Sequence, residues 1–242
     1  MTFIRTALAP CLALLLTGCL LVPGQFEAEL MITPDGEFAF VYDGEIRVGP
    51  DDEQDRSGSG AGDTDVNGED DGMGAAIDAG MEEAAQIFMG GLNPRDEDSV
   101  RAFAEQLQAR RGWDRVDYLG AGLFDVDYSV SGRLDRDFFF PVVQDFLLNF
   151  PMVAAVPLDD GSVRVTVPAL MPPPSQPSSG DATREEEEGP LGSGTFTLRT
   201  TAEIVSTNGA VSSGELPGET VIRWSSDDPP EERPEAIIRL EP

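Results

Sequence analysis

Between Phe26 and Tyr42 apolar and polar residues alternate on both sides of one turn, and few local structures satisfy that pattern. Phe26, Ala28, Leu30 and Ile32 fall on one parity, while Gln25, Glu27 and Glu29 fall on the other. Successive side chains of a strand point to opposite faces, so this segment buries one face and wets the other. Thr33-Pro34-Asp35-Gly36 follows, with proline pre-setting φ and glycine accepting a positive φ. Phe38, Phe40 and Tyr42 then resume the alternation, which predicts a β-hairpin whose apolar face needs a covering layer.

The covering layer is expected to be helical. Ile77, Met81, Ala84, Ala85 and Phe88 recur at helical spacing until Gly90-Gly91, and a second helix is predicted over about Asp98 to Arg111. Val100, Phe103, Ala104 and Leu107 share one face of that second helix. Asp96, Glu97 and Asp98 at its start and Arg110-Arg111 at its end match the helix dipole, and Gly112 suits a left-handed cap.

Period two returns at Val116 and Tyr118, breaks at Gly120 and Gly122 where a bulge or bend is expected, and resumes through Phe124, Val126, Tyr128 and Val130. Further strands are predicted over Met152 to Leu158, Val163 to Val167, Thr195 to Ser206, Glu219 to Trp224 and Ala236 to Leu240, with short turns at Asp160-Gly161 and Asn208-Gly209. The expected fold class is α+β: a mostly antiparallel sheet of about eight strands, with a helical hairpin inserted between strands 2 and 3. The expected organisation is a leader over residues 1–18 and a single domain over 19–242, with flexible insertions at 49–74 and 170–194.

Acid is concentrated in three segments, 51–72, 181–188 and 227–235, which read as solvated loops. Removal of residues 1–18 leaves 15 arginines against 45 acids, a formal charge of −30 that repels nucleic acid and anionic lipid headgroups. With no lysine and no histidine, the chain lacks a Schiff-base amine, an imidazole acid or base and any histidine metal ligand. No catalytic residue, cofactor or metal ligand is therefore assigned.

Three constellations each have a plainer alternative. Asp63-Thr64-Asp65-Val66-Asn67-Gly68 matches the opening of a calcium loop, but Gly74 stands where a bidentate glutamate belongs; the alternative is an acidic linker. Asp125 and Asp127, two residues apart and so about 7 Å apart along a strand, could with Asp117 form a carboxylate pair for hydrolysis, with Arg133 and Arg136 following. Because Phe124, Val126 and Tyr128 take the opposite parity, the competing reading puts these acids on a wet sheet face. The run from Phe138-Phe139-Phe140-Pro141 to Leu158 reads as core, or as an apolar groove for a lipid or small ligand.

The start of the chain carries an address. Arg5, the apolar run Ala7 to Leu16 and the small residues Thr17 and Gly18 make a secretory leader too short to be a spanning helix. Leu16-Thr17-Gly18-Cys19 has the form of a lipobox, in which the cysteine thiol is alkylated by diacylglycerol and becomes the first mature residue. Cys11 leaves with the leader, so no free thiol or disulfide remains. Lipid attachment at Cys19 implies a cell-envelope protein facing the periplasm. Leu20 following it favours the outer membrane, and an envelope protein or lipid is the expected partner.

Cys19, the Phe26 to Ile32 strand, Pro34-Asp35-Gly36 and the Phe38 to Tyr42 strand resemble the start of LppM-like bacterial lipoprotein domains. Ile204-Val205-Ser206-Thr207-Asn208-Gly209 and Thr220-Val221-Ile222-Arg223-Trp224 extend the resemblance, which covers residues 19–48 and 195–240. It implies a β-rich envelope module and carries over no active-site residue. The chain departs from membrane-spanning relatives, because no stretch after Leu170 is apolar enough to cross a bilayer.

Overall fold

The predicted hairpin forms as β1 (Leu21–Ile32) and β2 (Glu37–Val48), paired from Leu21 opposite Val48 to Ile32 opposite Phe38. Its turn closes through the Gly36 N–H donating to the Thr33 carbonyl at 3.0 Å, with Gly36 at φ 84°. The computed structural model describes residues 21–48, 92–93, 96–142, 151–171 and 192–241.

Among those residues the fold corrects the expected α+β arrangement. There are two sheets and one α-helix, with no single eight-stranded sheet and no helical hairpin. The segment Ile77 to Phe88, read as the first helix, lies outside the described residues, as do the loop Asp63 to Gly68 and residues 172–191.

The remaining elements are α1 (Glu97–Gln108), β3 (Trp113–Gly120), β4 (Leu123–Arg133), β5 (Phe138–Phe140), β6 (Val153–Pro157), β7 (Ser162–Thr166), β8 (Ser193–Thr200), β9 (Glu203–Thr207), β10 (Ala210–Ser213), β11 (Thr220–Ser225) and β12 (Glu235–Arg239). Sheet A has the order β10-β11-β8-β1-β2-β4-β3 and sheet B the order β5-β6-β7-β12-β9. The central strand β1 pairs in parallel with β8, Leu30 opposite Leu198. All the other pairings are antiparallel.

What covers the apolar face of the hairpin is mainly sheet B. Phe40 and Tyr42 of β2 meet Phe140 of β5 at ring-centroid distances of 5.0 and 4.7 Å, and Tyr128 of β4 meets the same ring at 4.8 Å. These residues belong to one continuous core that both sheets share. Offset and edge-on aromatic contacts of this kind add to the gain from burying each ring.

The helix α1 covers the β3/β4 end of the same face. Val100, Phe103, Ala104 and Leu107 are all buried as predicted, with Phe103 against Phe124 at 6.1 Å. Asp96 caps it by accepting from the Ser99 N–H at 3.2 Å, satisfying one of the donors that a helix start leaves open. The helix ends earlier than expected, at Ala109, so Arg110-Arg111 fall beyond its last turn and Gly112 takes its positive φ of 94° in the connection to β3.

Two further corrections and one refinement follow from how the chain changes direction. The Gly120 and Gly122 break, expected as a bulge or bend, is the hairpin tip between β3 and β4, with a register shift between Tyr118 and Gly120. Thr195 to Ser206 is two strands in different sheets, with the corner at Thr201-Ala202. The buried Thr200 hydroxyl fixes that corner, donating to the Ile32 carbonyl at 2.7 Å and accepting from the Ala202 N–H at 3.0 Å. Asn208-Gly209 joins β9 of sheet B to β10 of sheet A and closes no hairpin between them. The Asn208 side chain holds that crossover, accepting from Trp224 Nε1 at 2.9 Å and from the Glu235 N–H at 3.0 Å.

Candidate functional site

Alternation fixes what sheet A shows to solvent. With Phe40, Tyr42, Phe124 and Val126 turned inward, Asp43 of β2 and Asp125 and Asp127 of β4 face outward. Antiparallel register sets Asp127 directly opposite Asp43, and Asp43 opposite Glu27 of β1, so three carboxylates stand in one row across three strands. Like charges in directly opposed positions repel, and this row requires a compensating cation.

Arg115 of β3 supplies one at the Asp127 end of the row. Its guanidinium makes two hydrogen bonds to Asp127, Nε to Oδ2 and Nη2 to Oδ1, both at 2.9 Å, and Nη1 donates to Asp117 at 3.1 Å and to Asp125. A planar five-donor fork suits such a set of carboxylates better than an ammonium would. These bonds raise the Arg115 pKa further, and they hold the Asp127 carboxyl below its ordinary range.

Asp117, Asp125 and Asp127 are therefore brought together as the sequence suggested, but on an open face. Their side chains are 61, 35 and 43% exposed. A general acid for glycoside hydrolysis needs a carboxyl whose pKa is raised, whereas Asp127 is kept ionised by its arginine. The bonds to Arg115 and the open face favour the wet-face reading of these acids. Arg133 and Arg136 do not join the cluster: Arg133 Nη2 donates to the Asp35 carbonyl at 2.6 Å, and Arg136 lies 3.8 Å from Asp135. Arg115 has no motif to mark it in the sequence, although its parity, two residues before Asp117, places it on the same face.

A second ion pair closes the far part of the outer face. Arg199 of β8 makes two bonds to Glu219, at 3.0 and 2.9 Å, with Glu29 at 3.7 Å. The Glu219 side chain is 3% exposed and also accepts from the Glu215 and Leu216 N–H groups, so its pKa is lowered, chiefly by the arginine bonds.

Beside the Arg115 cluster lies a shallow depression bordered by Glu27, Asp43, Glu45, Asp125, Thr195 and Asp227. Among the described residues no group of three or more acids is arranged to hold a metal ion. The positions Asp63, Asp65 and Asn67 lie outside the described residues. Of the aromatic run, Phe140 is buried, Phe138 half-buried and Phe139 exposed; residues 143–150 lie outside the described residues.

Cys19 lies outside the described residues, which open at Leu21 with β1. The end of sheet A that carries Leu21 also carries Val48, and the Val48 N–H donates at 2.8 Å to the carbonyl of Gly122 in the β3–β4 tip. Among the described residues no helix is long and apolar enough to cross a membrane. No family model matches the chain, and no curated protein or solved structure is similar enough to it to assign a family.

Proposed function

We propose that this chain is a non-enzymatic lipoprotein of the cell envelope, anchored through an acylated Cys19 and presenting its β-sandwich to the periplasm. The observation that carries the reading is the lipobox Leu16-Thr17-Gly18-Cys19 set one residue before a folded strand that begins at Leu21. Two or three acyl chains give stable attachment, and a tether this short keeps the domain at the bilayer surface. Leu20 after the cysteine favours the outer membrane. The likeness to LppM-like domains enters only as that of a β-rich envelope module.

The outer face of sheet A is the surface offered to an envelope partner. Its carboxylates, the Glu27-Asp43-Asp127 row and the Asp117 and Asp125 that share Arg115 with Asp127, suit a partner with basic side chains and discourage nucleic acid. The alternative is a lipid or small-ligand binding module with an apolar pocket; among the described residues Phe138 and Phe140 pack against Phe40 and Tyr42, which supports the core reading of that part of the run.

Mass spectrometry of the mature N-terminus, with capture from detergent-solubilised membranes, tests both halves of the proposal. The expected result is a diacylated Cys19, with membrane association and partner capture lost in Cys19→Ala. An unmodified start at any other residue overturns the anchoring.

A further inference from the structure

We infer that the β3–β4 hairpin tip, Leu119-Gly120-Ala121-Gly122-Leu123, is a lipid-contacting element that dips into the headgroup region of the bilayer beneath the anchored domain. The inference rests on acylation of Cys19, and geometry then says which part of the sandwich lies against the lipid.

Leu21 is only two residues on from Cys19, a reach of at most about 7 Å. The tether therefore fixes the Leu21 end of sheet A as the membrane-proximal end. Strand order β1-β2-β4-β3 puts β3 three strand spacings from β1, about 15 Å across the sheet. The tip lies at the same height, because Leu21 pairs with Val48 and Val48 bonds to Gly122.

The chemistry of the tip is unusual for a turn in water. None of its five side chains is charged or can form a hydrogen bond, and Leu119 is 57% exposed. Gly120, Ala121 and Gly122 all take positive φ, at 100, 50 and 72°. Asparagine or aspartate commonly fills a left-handed position that glycine does not, because its polar side chain bonds locally. Here alanine occupies it and keeps the tip apolar.

At the opposite end of the sheet the β1–β2 turn carries Asp35, and the β10–β11 loop carries Glu215 next to Leu216, which is likewise 57% exposed. At the Leu21 end the acids Asp227 and Asp228 follow β11, on the other side of β1 from the tip. A five-residue tip is too small to provide the roughly 800 Å² per partner that a stable protein interface buries. As a second contact on a body already tethered to the surface, it needs little intrinsic affinity.

The two equally exposed leucines make the test internally controlled. With Cys11 removed and Cys19 in a thioether, Leu119→Cys or Leu216→Cys introduces the only free thiol, to be labelled with an environment-sensitive fluorophore. The acylated protein is then reconstituted in vesicles of phosphatidylethanolamine with a minor share of phosphatidylglycerol. The label at 119 is expected to shift to the blue and to be quenched by nitroxide lipids, while the label at 216 keeps its aqueous emission and is quenched by iodide. If Cys19 is acylated and the two labels behave alike, the lipid-contact inference is wrong and the anchoring stands. If mass spectrometry finds Cys19 unacylated, the anchoring itself is wrong and the inference falls with it.

Discussion

The two faces of sheet A share one backbone and hold together by different physics. The inner face is a continuous apolar surface on which Phe40, Tyr42 and Tyr128 converge on Phe140. Outward, the same strands carry rows of carboxylates kept in place by two arginines, Arg115 toward the Leu21 end and Arg199 toward the other. The inner face specifies that the sheets pack. On the outer face the charges must be balanced so that they do not undo that packing, and burial decides how much each arginine matters: Glu219 is enclosed, whereas Asp127 is open to water.

Removing a ring from the inner face gives the largest expected effect. Phe40→Ala takes out a fully buried side chain in contact with Tyr128, Phe138 and Phe140, and should cost about 4 kcal/mol in urea unfolding. A loss below about 1 kcal/mol would mean that the sheets do not pack through these rings.

The enclosed pair comes next. In the folded state the Glu219 carboxyl sits below its ordinary range, so the stability it contributes is present above its unfolded value of ~4.3 and is lost as pH falls through the lower folded value. Glu219→Gln should therefore be less stable than wild type at neutral pH, by less than Phe40→Ala, and the gap should close as the pH drops below ~4. Parallel stability curves for the two proteins down to acid pH would refute this role for Glu219.

Smallest is the effect at the open cluster. Arg115→Gln leaves Asp117, Asp125 and Asp127 without their shared cation, and exposed pairs contribute little on their own. The deficit should be small at low salt and should vanish near 1 M, where the screening length is about 3 Å. A deficit that ignores salt would show that Arg115 acts through packing.

Legibility in the sequence followed the range of the interactions. The β1–β2 hairpin and the buried stripe of α1 could be read directly, because each depends on residues two to four apart. The outward parity of Asp125 and Asp127 was equally plain. Arg115 as their clamp needed the β3–β4 pairing, which in turn required seeing Gly120-Ala121-Gly122 as a tip. Phe138–Phe140 has no alternation to mark it as a strand, and Ala210–Ser213 is short and exposed at every residue. The division into two sheets was hidden most deeply, since the corner after Thr200 interrupts a run that is uniformly strand-like on paper.

The parallel partnership of the first strand with the eighth sets a constraint on timing. β1 is the central strand of sheet A, yet one of its two neighbours is not synthesised until residues 193–200 are complete. Until then Leu30 and its companions have one edge open, and loop closure over so long a stretch opposes early assembly. A nascent chain therefore stays loose for most of its synthesis, and the sandwich locks only once residues 193–200 have been made.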